Sequence, residues 1–187
     1  MSEMLVIDTG AGLQPQEERI EPYRVINYSI NRRSQVIPEV DADLYFYASI
    51  AKRLRMTLRL HGAFGLSAPQ CGVLARMFVM SVGDQFITCI NPKILSQSKT
   101  YSRQRDMDIS YPGLFLSIDR ATSIDVEYGD ESGKIFKVQF DGLTSRIFQQ
   151  NMDHLNGVTM TDHVGPAALM MARKKQSKLI KIATRKK

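Results

Sequence analysis

Two alternating segments around one turn constrain this chain most. Ser123–Tyr128 (SIDVEY) puts Ile124, Val126 and Tyr128 at every second position, and Lys134–Phe140 (KIFKVQF) sets Phe136 and Val138 on one face, Ile135 and Lys137 on the other. Between them, Gly129-Asp130-Glu131-Ser132-Gly133 is turn material. A period of two on both sides of a short turn predicts a β-hairpin, and so an antiparallel pair. The same logic joins Arg76–Val82 (RMFVMSV) to Gln85–Ile90 (QFITCI) through Gly83-Asp84.

Two stretches have the helical period instead. In residues 41–61, Leu44, Tyr47, Ala51, Leu54 and Leu58 recur at spacings of three and four, with Asp41 or Asp43 as cap at the start and Gly62 at the end. Arg53, Arg55 and Arg59 fall mostly off that stripe and are expected on a solvated face. Leu143–Leu155 is the second helix, with Leu143, Ile147 and Phe148 toward a core and Met152 and Leu155 following. Hairpins with helices gathered separately indicate an α+β domain with antiparallel sheet.

Charge divides the chain further. Residues 173–187 (RKKQSKLIKIATRKK) hold eight Lys or Arg and no acid; with those set aside, the net charge of +6 becomes −2. We therefore divide the chain into an N-terminal arm at 1–24, a domain at 25–172 and a basic tail at 173–187. Such a tail attracts phosphate backbones or acidic protein surfaces, or stays solvated; as a helix, Leu179, Ile180 and Ile182 would give it apolar surface for docking. No window is long and apolar enough to cross a bilayer, and no charged-then-apolar signal opens the sequence, so a cytoplasmic setting without membrane contact is expected. Cys71 and Cys89 are the only cysteines and are expected to be reduced.

Three segments carry chemistry. Gly62–Gly72 (GAFGLSAPQCG) is too rich in small residues for an ordinary strand; Gly65 permits a close approach, and Gln70 brings an amide able to donate to an oxyanion. Asp106–Gly113 (DMDISYPG) and Phe148–Gly157 (FQQNMDHLNG) are the others. Together they resemble the motifs of the peptide deformylases, G-x-G-x-A-A-x-Q, E-G-C-L-S and Q-H-E-x-D-H followed by L-x-G. Ala63–Gln70 fits the first except at Ala63 and Ser67, and Gln149, Asp153, His154, Leu155, Asn156 and Gly157 fit the third. Ile90-Asn91-Pro92, Pro112-Gly113 and Arg120 resemble the family between its motifs, and the likeness spans most of residues 25–172. It implies a deformylase-like fold, antiparallel sheets packed around a central motif helix.

The resemblance also implies a divalent metal held by the Cys of the second motif and the two His of the third, at i and i+4 on one helix face. Carried over by position, the ligand places are Asp108, Gln150 and His154, and the acid/base Glu is Asn151. Asp106, Met107, Ile109 and Ser110 take the other places of the second motif, and residues 90–187 contain no Cys. The vestigial catalytic positions are thus Gln70, Ile109 and Asn151, and the substrate pocket is Gly65, Gln70, Ile109 and His154. A neutral amide is a poor substitute for imidazole on a transition metal, and Asn151 cannot carry a proton at neutral pH. His61 and His163 lie outside the motifs, and Asp153 is expected to make a structural bond.

The expectation is a catalytically inactive deformylase-like protein without cofactor, serving as a structural or interaction component of a larger assembly. Two such assemblies fit: a ribosome-associated particle reached through residues 173–187, or a phage virion or baseplate, in which case the location is the virion. The alternative is a metal-dependent deformylase acting on N-terminal formyl-Met through an altered, weak site with a divalent ion of Fe or Zn type. A binding module that holds an N-terminal peptide is a third class.

Overall fold

The computed structural model describes residues 20–27, 39 and 43–185. Most of the N-terminal arm and the Asp41 cap lie outside the described residues. Helix α1 is Leu44–His61, capped by the Asp43 side chain, which accepts from the Tyr45 N–H, and closed by Gly62 in the left-handed region (φ 59°). Tyr47, Ala51, Leu54 and Leu58 are buried as the period predicts. Leu44 is 45% exposed and leaves the stripe; Ile50 is buried in the same cluster.

The strands are β1 (Gly65–Ser67), β2 (Met77–Val82), β3 (Gln85–Gln97), β4 (Tyr101–Met107), β5 (Phe115–Ala121), β6 (Ser123–Gly129) and β7 (Ile135–Asp141). Five of them make an antiparallel sheet in the order β1-β2-β3-β6-β7, and β4-β5 form a separate pair. Both hairpins seen in the sequence are present, with Val82 opposite Gln85 and Gly129 opposite Ile135. The β4-β5 pair was not expected: β4 reads YSRQRDM, whose polar residues give no buried period. β3 also runs past Ile90 through Asn91-Pro92, where its register with β6 shifts.

Helix α2 is Gly142–Leu155. The pleat of β2 sorts the core. Met77 and Val79 face α1, whereas Phe78 and Met80 face α2, meeting Phe148, Met152 and Leu155. The sheet is thus covered on both faces, so β2 reads as a continuous apolar run. Phe78 and Phe148 meet edge to face at 5.0 Å. Leu143 does not join this core; it is 58% exposed in the first turn of α2.

Arg59 is exposed as expected, whereas Arg53 and Arg55 correct the expectation of a solvated face. The Arg53 guanidinium lies 3.8 Å from the Tyr23 ring centre and its Nε donates to the Glu21 carbonyl. Arg55 pairs with Glu131 and donates to Thr88 Oγ1 at 2.8 Å. Both tie the helix to neighbouring segments. Helix α3, Pro166–Arg185, crosses residue 172 without a break. Leu169 and Ala172 pack on Tyr111, Leu114, Leu116, Ile118 and Met160, and Gln176 Nε2 donates to the Pro112 carbonyl at 2.8 Å. Among the described residues no helix is long and apolar enough to cross a membrane, and Cys71 and Cys89 are free thiols.

Candidate active site

The three motif segments meet under α2. β1 leads into a 3-10 turn, Ala68–Cys71, which buries Gln70. The Gln70 amide is fully engaged: Oε1 accepts from the Ser67 N–H (2.9 Å) and Oγ (3.0 Å), while Nε2 donates to Asp108 Oδ1 (2.9 Å) and Ser110 Oγ (3.2 Å). Donation from it to an oxyanion would require release of one of these bonds. Asp108 Oδ1 also accepts from the Ser110 N–H at 2.7 Å. The other oxygen, Oδ2, lies 2.9 Å from Nε2 of His154, whose side chain is 2% exposed. Burial opposes the charge of Asp108, but His154 and the bonds from Ser110 and Gln70 together outweigh it and hold the carboxyl below its ordinary range.

Positions 150 and 151 behave differently. Gln150 Nε2 donates to the Met107 carbonyl at 2.7 Å, tying α2 to the end of β4. Asn151 is buried, and its Nδ2 donates back to the Ile147 carbonyl at 2.9 Å. A Cβ on Gly65 would lie 2.2 Å from that same nitrogen, so the absence of a side chain at 65 is what admits Asn151. Ile109 is half-buried against the α1-side core. The structure therefore brings Gln70, Asp108 and His154 into direct contact, sets Gly65 against Asn151, and gives the Gln150 amide to the backbone. His61 is exposed at the end of α1.

A second network supports the first. Asp106 is buried between two guanidinium groups, accepting from Arg120 Nε at 2.9 Å and Arg146 Nε at 2.6 Å. Arg120 also reaches Asp153 at 2.8 Å, and Asp153 meets His163 Nε2 at 2.7 Å. Arg146 donates further to the carbonyls of Ser102, Gln104 and Ile118. Sequence reading missed Arg146, because one arginine beside apolar helix positions carries no spacing signal. Gln149 spans the end of β5, donating to the Ala121 carbonyl at 2.8 Å and accepting from its N–H at 3.1 Å. The C-terminus of α2 is met by Arg76, whose Nη1 donates to the Leu155 carbonyl at 3.3 Å and whose Nη2 donates to Asn156 Oδ1 at 3.0 Å.

Comparison with known proteins agrees with this fold. The family model described as polypeptide deformylase matches residues 5–169. A peptide deformylase of Thermotoga maritima is 32% identical over 146 residues, covering 78% of this chain and 87% of that protein. Its crystal structure superposes with a TM-score of 0.73 at 30% identity, over 78% of this chain and 99% of that one. A peptide deformylase from Legionella pneumophila gives a TM-score of 0.79 at 26% identity, over 88% of this chain and 98% of that one.

These matches correct the expectation of a protein without cofactor. The peptide deformylases this chain matches are metal-dependent enzymes, which conflicts with that expectation. The donors at hand fit a divalent ion in part. A carboxylate oxygen and an imidazole nitrogen, buried and adjacent, form a donor pair suited to a divalent transition metal. No group of three His, Cys, Asp or Glu side chains converges among the described residues, whereas catalytic sites of this type use three protein ligands.

Proposed function

Because this chain belongs to the polypeptide deformylase family, we propose that it is a deformylase with an altered, slow site, directed at the formyl group of an N-terminal formyl-methionyl peptide. The buried contact of Asp108 with His154, braced by Gln70, carries this reading. Asp108 and His154 are the residues that would hold a divalent ion. Such an ion, when bound, would polarise the formyl carbonyl and lower the pKa of a coordinated water toward ~7.

The chain's own groups set the limits. Gln70 and the Ser110 N–H orient the Asp108 carboxylate and keep it charged. Asn151 stands where the family resemblance places the proton carrier, and an amide neither takes nor returns a proton at neutral pH. Loss of that step alone costs roughly 100- to 10,000-fold in rate. The decisive experiment loads the purified protein with Fe(II) or Zn(II), measures bound metal, and follows formate from a formyl-Met peptide. Slow, metal-dependent formate release, with both metal and activity lost in His154→Ala, is expected. Stoichiometric metal without any formate would refute it.

A second reading follows from the hydrogen bonds of Gln150 and Asn151, which close both positions onto the protein's own backbone. In it the domain is a catalytically inactive part of a larger assembly, ribosome-associated or virion, with the basic C-terminal segment as a contact. Absence of formate release together with salt-sensitive co-sedimentation with ribosomes, abolished by deleting residues 173–187, would favour the ribosomal form.

A further inference from the structure

A groove of about 550 Å³ lies between the β4-β5 pair and α3, away from the Gln70–Asp108–His154 cluster. Arg105, Phe115 and Ser117 line one wall, and Lys175, Lys178 and Leu179 the other. Arg105 is paired across the strands with Ser117, and Phe115 is the next residue on that face of β5. The α3 residues recur at spacings of three and four, so they share one helix face. The groove is held open at a fixed width: Leu169 and Ala172 pack on the β5-side core, and Gln176 is bonded to Pro112. No carboxylate is among the lining residues.

We propose that this groove binds a short acidic segment of a partner protein, one with an apolar residue beside its carboxylates. The Arg105 guanidinium rests 3.8 Å from the Phe115 ring centre, which fixes its plane and leaves its edge for a carboxylate. Lys175 and Lys178 bring two further cations to the opposite wall, and the exposed Leu179 adds apolar surface to that wall. A single nucleic-acid strand suits the groove less well. Among the described residues lining it Phe115 alone is aromatic, and the guanidinium already covers that ring, so it offers no free platform on which bases could stack.

The test uses the full chain and fluorescein-labelled probes: a peptide alternating Glu and Leu, one alternating Glu and Ser, and an oligouridylate. The Glu/Leu peptide is expected to bind most tightly. Lys175→Glu combined with Lys178→Glu, and separately Arg105→Gln, should each weaken it by about tenfold or more. Lys174→Glu combined with Lys181→Glu makes the same charge change on α3 outside the groove and should leave binding within about twofold. Circular dichroism of each variant reports that α3 remains folded. Equal losses from the two lysine pairs, no preference for Leu over Ser, or tighter binding of the oligouridylate would each overturn the proposal.

Discussion

At the scale of single residues, two amides decide how this site is closed onto its own backbone. Gln150 and Asn151 stand where the family resemblance places a ligand and the proton carrier, and their nitrogens donate to the carbonyls of Met107 and Ile147. Asn151→Glu places a carboxylate beside Gly65 and is expected to raise formate release from a formyl-Met peptide by about 100-fold, measured on metal-loaded protein. Asp108 makes a prediction about stability. Its carboxyl titrates lower in the folded chain than in an unfolded one. The stabilisation this gives is therefore complete above about pH 4 and is lost as pH falls through the lower folded value. Urea midpoints taken between about pH 6 and pH 3 should fall less steeply for Asp108→Asn than for the unaltered chain. Parallel curves would show that Asp108 does not supply the acid limb.

At the scale of elements, α2 is the member that everything else positions. Its motif period was legible because Ile147, Phe148, Met152 and Leu155 repeat at helical spacing, and the hairpins were legible because Ile124, Val126 and Tyr128 alternate. The contact of Gln70 with Asp108 joins residues 38 apart in sequence, and only the resemblance to a known family, not any local period, placed them in one site. Arg146 was illegible for the same reason: its partners Asp106, Ser102, Gln104 and Ile118 lie 28 to 44 residues away on β4 and β5, and no local period ties them to it. It bonds the β4-β5 pair to α2 at a buried position. Arg146→Met strands the Asp106 carboxylate with one guanidinium and should cost about 3–5 kcal/mol. Hydrogen exchange should then show the loss concentrated in residues 101–121, whereas uniform loss of protection would mean that the pair is held by other contacts.

At the scale of the molecule, a sheet covered on both faces carries a motif helix to a buried Asp–His contact, and a basic helix leaves the same body at its C-terminal end. The fold is that of the deformylases; under the proposed function the chemistry would turn on Asp108 and His154 as metal holders and on Asn151 in the proton carrier's place. One measurement tests this most directly: formate produced from a formyl-Met peptide by the protein loaded with Fe(II) or Zn(II), beside His154→Ala treated identically. Slow production by the unaltered chain alone, at a rate that follows its bound metal, is the predicted result. Formate no greater than in a protein-free control, from a chain whose metal is bound in full, would contradict it.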